Sequence, residues 1–113
     1  MKQRPEPLPQ RDADASLKAL ARALAALDRP EEVRAFLVDL CTPAELEAMA
    51  DRWRVVPLLL KGVPYREIHD LTQVSVTTVG RVARTLEHGA GGYAAALERL
   101  KQGRQPARAS ASH

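Results

Sequence analysis

The sequence predicts an all-α fold, and three observations carry that expectation. Apolar residues recur at steps of three and four along the middle of the chain. β-Branched residues cluster only at Val74 to Val82, where the spacing is helical rather than alternating. Start and stop residues for helices punctuate the pattern. A length of 113 residues is within the range of one domain. Residues 1–13, with Pro, Gln and Arg prominent, read as a disordered N-terminal arm, residues 14–102 as the helical domain, and residues 103–113 as a disordered C-terminal tail. A core of about 90 residues buries only about 60 to 65% of its unfolded surface, so burial of apolar faces against a second copy, as a two-fold homodimer, is expected.

The first helix is expected over 15–27, where Leu17, Leu20, Leu24 and Leu27 form one stripe. Asp28 is suited to cap the next helix and Pro30 to its first turn, with Val33, Phe36, Leu37 and Leu40 as the apolar face and an end near Cys41. Thr42-Pro43-Ala44-Glu45 then has the form of a capping box with proline at the first helical position. The third helix is expected to reach about Lys61, with Leu46, Met49, Trp53, Val56 and Leu60 along one stripe and Gly62 as its stop. Pro57 lies inside it and predicts a kink, because proline removes one backbone hydrogen bond and clashes with the preceding turn. Trp53 and Met49, on the apolar stripe, read as core or dimer-interface residues.

Two short helices fit residues 64–87 as a helix-turn-helix. Pro64 starts the first, with Ile68 and Leu71 (and Thr72) facing inward; Gln73 and Val74 form the turn, and Ser75 caps the second. In the second helix Val79, Val82 and Leu86 face inward, which turns Val76, Thr77, Gly80, Arg81 and Arg84 outward or toward the edges. A helix that enters the major groove of DNA needs small residues and hydroxyls in its first turns and an arginine for guanine edges. Ser75, Val76, Thr77, Gly80 and Arg81 meet that need, and Arg66 and Arg84 are placed to hold flanking phosphates. Two departures from the usual motif stand out: His69 occupies a place normally held by a small residue, and Gln73 one normally held by glycine. His69 must turn outward or force the helices apart, and Gln73 must adopt a left-handed conformation. The alternative is a helical protein–protein interaction module in which the same hairpin holds a partner and does not bind DNA.

The isoelectric point of about 9.4 adds little to the DNA reading. Residues 1–88 carry 13 Lys/Arg and 13 Asp/Glu, so the net charge of +3 resides in residues 89–113. Cys41 is the only cysteine, which excludes an intrachain disulfide and fits a reducing cytoplasm. His69, His88 and His113 show no metal-ligand spacing, so no metal is expected. No nucleophile with a neighbouring base, no carboxylate pair and no cofactor motif can be assembled, which argues against an enzyme, and Gly89 to Gly92 lack the flanking pattern of a phosphate loop. The longest apolar run, Val55 to Leu60, is far too short to span a membrane, and a cytoplasmic location is expected.

Thr42-Pro43-x-Glu45, Arg52-x-Arg54-Val55-Val56, Leu59-Leu60-Lys61-Gly62, Arg66-Glu67-Ile68 and Thr77-Thr78-Val79-x-Arg81 follow in order. Together they resemble the tryptophan repressor superfamily from about Leu37 to Leu100. The stretch Gly89-Ala90-Gly91-Gly92-Tyr93 is similar to the YerC/YecD branch, whose members are assigned as DNA-binding regulators. The resemblance implies a six-helix subunit in an intertwined homodimer, with two recognition helices meeting successive major grooves of a two-fold operator. It also implies an effector pocket between the central and recognition helices, where Arg52 and Arg81 match the arginines that grip tryptophan and Thr42 and Thr85 match lining residues. The residue after the second arginine is glycine in tryptophan-binding members and Val82 here. Its two methyl groups would intrude on an indole ring at a cost of about 1 to 3 kcal/mol, so a different small-molecule corepressor, or none, is expected in place of tryptophan. Arg52 and Arg54 have a plainer alternative as partners of Glu45, Glu47 or Asp51 along the helix.

Overall fold

The computed structural model describes residues 12–103, so the expected arm and tail lie almost wholly outside the described residues. Six helices follow one another: α1 (Ala13–Ala26), α2 (Pro30–Leu40), α3 (Pro43–Leu60), α4 (Tyr65–Thr72), α5 (Val76–His88) and α6 (Gly92–Gly103). No strand occurs among the described residues, as the helical spacing around Val74 to Val82 predicts. The chain divides into two compact units, the first ending at Pro43 and the second starting at Ala44.

In the first unit α1 and α2 bury no residue completely. Leu20, Leu24 and Leu27 are half-buried and Leu17 is exposed; along α2, Val33, Phe36 and Leu37 are half-buried. The cap of α2 is Arg29 rather than Asp28. Proline restricts the residue before it to extended backbone, and Arg29 (φ −114°, ψ 138°) takes that conformation before Pro30, which places the helix boundary there. The Arg29 guanidinium lies 2.7 Å from the Glu31 carboxylate. That hydrogen bond, helped by a backbone one, holds the Glu31 carboxyl below its ordinary range.

In the second unit α3 runs without interruption through Pro57 to Leu60. Pro57 still accepts from the Lys61 N–H at 3.2 Å, and the helix closes one turn later. Gly62 adopts φ +80°. Its N–H donates to the Leu59 carbonyl (3.0 Å) and that of Val63 to Leu58 (3.1 Å), a paired closure that needs a left-handed residue.

The core consists of Val55, Val56, Ile68, Val74, Val79 and Val82, with Trp53, Leu58, Leu59, Val63, Leu86, Tyr93 and Leu97 packed around it. It therefore lies beneath α4 and α5, which pack against each other. The stripe read along α3 is shifted accordingly: Val55 and Val56 are buried, whereas Met49 and Leu60 are exposed. From Val55 onward α3 is apolar on nearly every side, so its periodicity does not single out the buried face. Trp53 packs against the core and meets Tyr93 with ring centroids 6.2 Å apart. A cleft of about 710 Å³ opens between the ends of α3 and α6, walled by Pro57, Leu60, Leu97 and Leu100 and edged by Lys61 and Lys101.

Gly89 ends α5, and a Cβ added there would come within 2.6 Å of the Thr85 carbonyl oxygen and 2.8 Å of its methyl carbon. Gly89→Ala is expected to cost about 1 to 3 kcal/mol in urea unfolding, as overpacking against backbone does. Gly92→Ala, where the added atom meets nothing within 4 Å, serves as the tolerated control.

Candidate nucleic-acid interface

The turn between α4 and α5 is closed by side chains. Thr72 is buried, and its hydroxyl donates to the Ile68 carbonyl (2.7 Å) while accepting from the Val74 N–H (3.1 Å). Leu71, read from the sequence as an inner residue, is 61% exposed. Over two helical turns the step of four from Ile68 to Thr72 faces the core better than the step of three to Leu71, and the hydroxyl is tolerated there because both of its bonds are made. Gln73 adopts φ +67°, ψ 10°, the left-handed conformation expected at this place. Its backbone N–H donates to the His69 carbonyl at 2.7 Å, and its side-chain amide donates to the Asp70 carbonyl at 3.3 Å.

His69 neither points away nor separates the helices. The half-buried ring lies 2.9 Å through Nδ1 from the Val74 carbonyl. A carbonyl only accepts, so Nδ1 carries the proton, and the imidazole serves as a cross-brace over the turn. A bulky residue is thereby accommodated where the motif usually has a small one. The sequence shows that His69 is five residues before Val74, but not that the left-handed turn brings the two together.

Ser75 caps α5, with its hydroxyl accepting from the Thr78 N–H and donating to the Thr78 hydroxyl, both at 3.1 Å. The Ser75 proton is therefore committed to the cap, and a phosphate at this helix start would draw on the Thr78 hydroxyl, a residue the sequence reading passed over. Val79 and Val82 are buried on the inner face as expected. Val76, Thr77, Arg81, Arg84 and Thr85 are exposed on α5, as is Arg66 on α4, while Gly80 is half-buried. The side chain nearest to the missing Cβ of Gly80 is Tyr65 of α4, whose Cε2 is 3.6 Å from that position, with an Arg84 guanidinium nitrogen at 4.0 Å. One surface thus gathers Tyr65, Gly80 and Arg84 from two helices.

Of the residues matched to an effector pocket, Arg52 is half-buried and forms no ion pair among the described residues, whereas Arg54 pairs with Asp51 at 3.5 Å. The Thr85 hydroxyl donates to the Arg81 carbonyl at 3.1 Å. Thr42 belongs to the first unit and the other three to the second. Val82 is 1% exposed, its methyl groups taken up by the core. Among the described residues no cluster of three His, Cys, Asp or Glu side chains forms a metal site, and no helix is long and apolar enough to cross a membrane.

A short first helix, a three-residue turn and a side-chain-capped second helix, all seated on one core, define a helix-turn-helix protein. The chain belongs to the family described as Trp repressor protein, whose family model matches residues 15–101. It is 36% identical over 86 residues to the uncharacterized protein YerC of Bacillus subtilis (strain 168), a match covering 76% of this chain and 83% of that one. It also resembles the crystal structure of a candidate Trp repressor from Staphylococcus aureus, with a TM-score of 0.71 and 32% identity over 77% of this chain and 87% of that one. The family is one of helical DNA-binding regulators and is regulatory rather than enzymatic.

Thr72→Val keeps the shape of the side chain but strands the buried Val74 N–H and removes a donor from the Ile68 carbonyl. Equilibrium unfolding in urea is expected to show a loss of about 1 to 3 kcal/mol.

Proposed function

We propose that this protein is a sequence-specific transcriptional regulator that binds double-stranded DNA as a homodimer through α5. The observation that carries the reading is the division of α5 into two faces, with Val79 and Val82 buried and Thr77, Arg81 and Arg84 exposed behind the Ser75 cap. In this reading Thr77, Gly80 and Arg81 meet base edges and Val76 offers its methyl groups to thymine. The Thr78 hydroxyl behind the Ser75 cap, with Arg66 and Arg84, sets the register on the backbone. The dimer is supported by the apolar stripes of α1 and α2, which bury no residue completely within this chain, and by the exposed Leu60 and Leu100 at the α3–α6 cleft. Family members form dimers.

The effector reading follows the same residues. Arg52, half-buried without an ion pair among the described residues, and Arg81 are suited to a small anionic corepressor, with Thr85 as candidate lining. Burial of Val82 supports an effector other than tryptophan, or none. The second reading, a protein–protein interaction module, draws on Leu71 and Val76, apolar side chains exposed on the hairpin.

A duplex selected from a random-sequence pool by the wild-type protein provides the test, read by gel shift across a salt series. Arg81→Ala is expected to cost about 1 to 3 kcal/mol and to relax preference at one base-pair position, while Arg84→Ala weakens all sequences and lowers the salt slope by about one. Two chains are expected per selected site, and added tryptophan is expected to leave the affinity unchanged. If Arg81→Ala alters neither affinity nor sequence preference, α5 is not the reading element and the interaction-module reading takes its place.

A further inference from the structure

We propose that Tyr65, on α4, is a DNA-backbone contact, its phenol hydroxyl donating to a phosphate oxygen beside the recognition helix; this rests on the DNA-binding reading above. Tyr65 is the first residue of α4 and is 43% exposed, yet its ring edge is beside Gly80 in the middle of α5. Cε2 adjoins the carbon that bears the hydroxyl, so the polar end of the ring is within one bond of the atom that approaches Gly80.

Gly80 gives the second observation. An interior glycine weakens a helix relative to alanine. Packing does not demand one here, because an added Cβ would make only ordinary contacts, at 3.6 Å with Tyr65 and 4.0 Å with Arg84. The glycine instead leaves the Tyr65 ring edge and the Arg84 guanidinium uncovered on the outer side of α5. One cation approaches the same point: an Arg84 guanidinium nitrogen is 4.0 Å from where a Gly80 Cβ would be, with the ring edge at 3.6 Å, and Arg84 is exposed. An exposed phenol whose ring shares the Gly80 surface with a guanidinium that bears no acidic partner among the described residues suits an anionic oxygen, and a phosphate oxygen is the acceptor that duplex DNA offers at the groove edge. A phenol in this place joins α4 to α5 in one contact surface and fixes the angle at which α5 enters the groove.

Tyr65→Phe retains the ring and removes only the hydroxyl. On the selected duplex it is expected to bind about tenfold more weakly. Its salt slope is expected to equal that of wild type, because a neutral group displaces no counterion, and unrelated duplexes are expected to lose a similar factor. The urea midpoint is expected to be unchanged. Gly80→Ala, which covers the ring edge, is expected to fold at least as stably as wild type and to bind more weakly. Wild-type affinity in Tyr65→Phe, alongside lost binding in Arg81→Ala, overturns the Tyr65 contact and leaves the DNA reading standing. A loss confined to one base-pair position overturns the phosphate assignment in favour of a base contact. Failure of the wild-type protein to select any duplex removes the DNA reading and this inference together.

Discussion

The hydroxyl of Thr72 is the interaction on which the helix-turn-helix depends. It is buried where the chain reverses, and it serves the carbonyl of Ile68 behind it and the N–H of Val74 ahead of it. Leaving a buried donor unmet costs about 1 to 3 kcal/mol. The left-handed backbone at Gln73 carries a penalty of about 1 to 2 kcal/mol, so the bonds around the turn offset the strain within it. Val74 can then enter the core, His69 can reach its carbonyl, and Ser75 arrives in extended backbone ready to cap α5. The direction of α5 follows from this sequence of constraints, and with it the placement of every side chain on its outer face.

That outer face is a composite of two helices. α5 contributes Thr77, Arg81 and Arg84, and α4 contributes Arg66 and the Tyr65 ring that fills the space beside Gly80. The opposite side of α5 is occupied by the core, where Val82 is enclosed. A residue at that position either leaves room for a ligand or completes the packing, and here it completes the packing. Arg52 is half-buried and free of ion pairs among the described residues, and Arg81 is exposed on the outer side of α5.

What could be read from the sequence was what depends on near neighbours. Pro43 and Gly62 bound α3, Ser75 caps α5, and the inward step from Val79 to Val82 needs only the helical repeat. Gln73 was readable as left-handed because the motif requires that conformation whatever residue supplies it. Thr72 was readable as an inner residue, but the exposure of Leu71 beside it was not, since hydrophobicity ranks the two in the wrong order and only the two bonds of the Thr72 hydroxyl reverse it. The partnership of Tyr65 with Gly80 spans fifteen positions and two helices, and no local pattern encodes it. Arg29 displaced Asp28 as the cap because the proline after it governs the backbone more strongly than a side-chain cap would.

Every residue of the core is valine or isoleucine. Within a helix these branched side chains occupy essentially one χ1 rotamer, about 90% of the time, so the fully buried centre of the seat beneath α5, inside its rim of leucines, has few alternative packings to exchange among. A leucine- or methionine-rich seat would let the helix tilt and settle against an imperfect surface. A stiff one holds it at a single pitch. Under the proposed DNA-binding function, discrimination between sequences would then rest partly on residues that never approach the nucleic acid, and a change as modest as a longer side chain at Val79 would blur it from the hidden side.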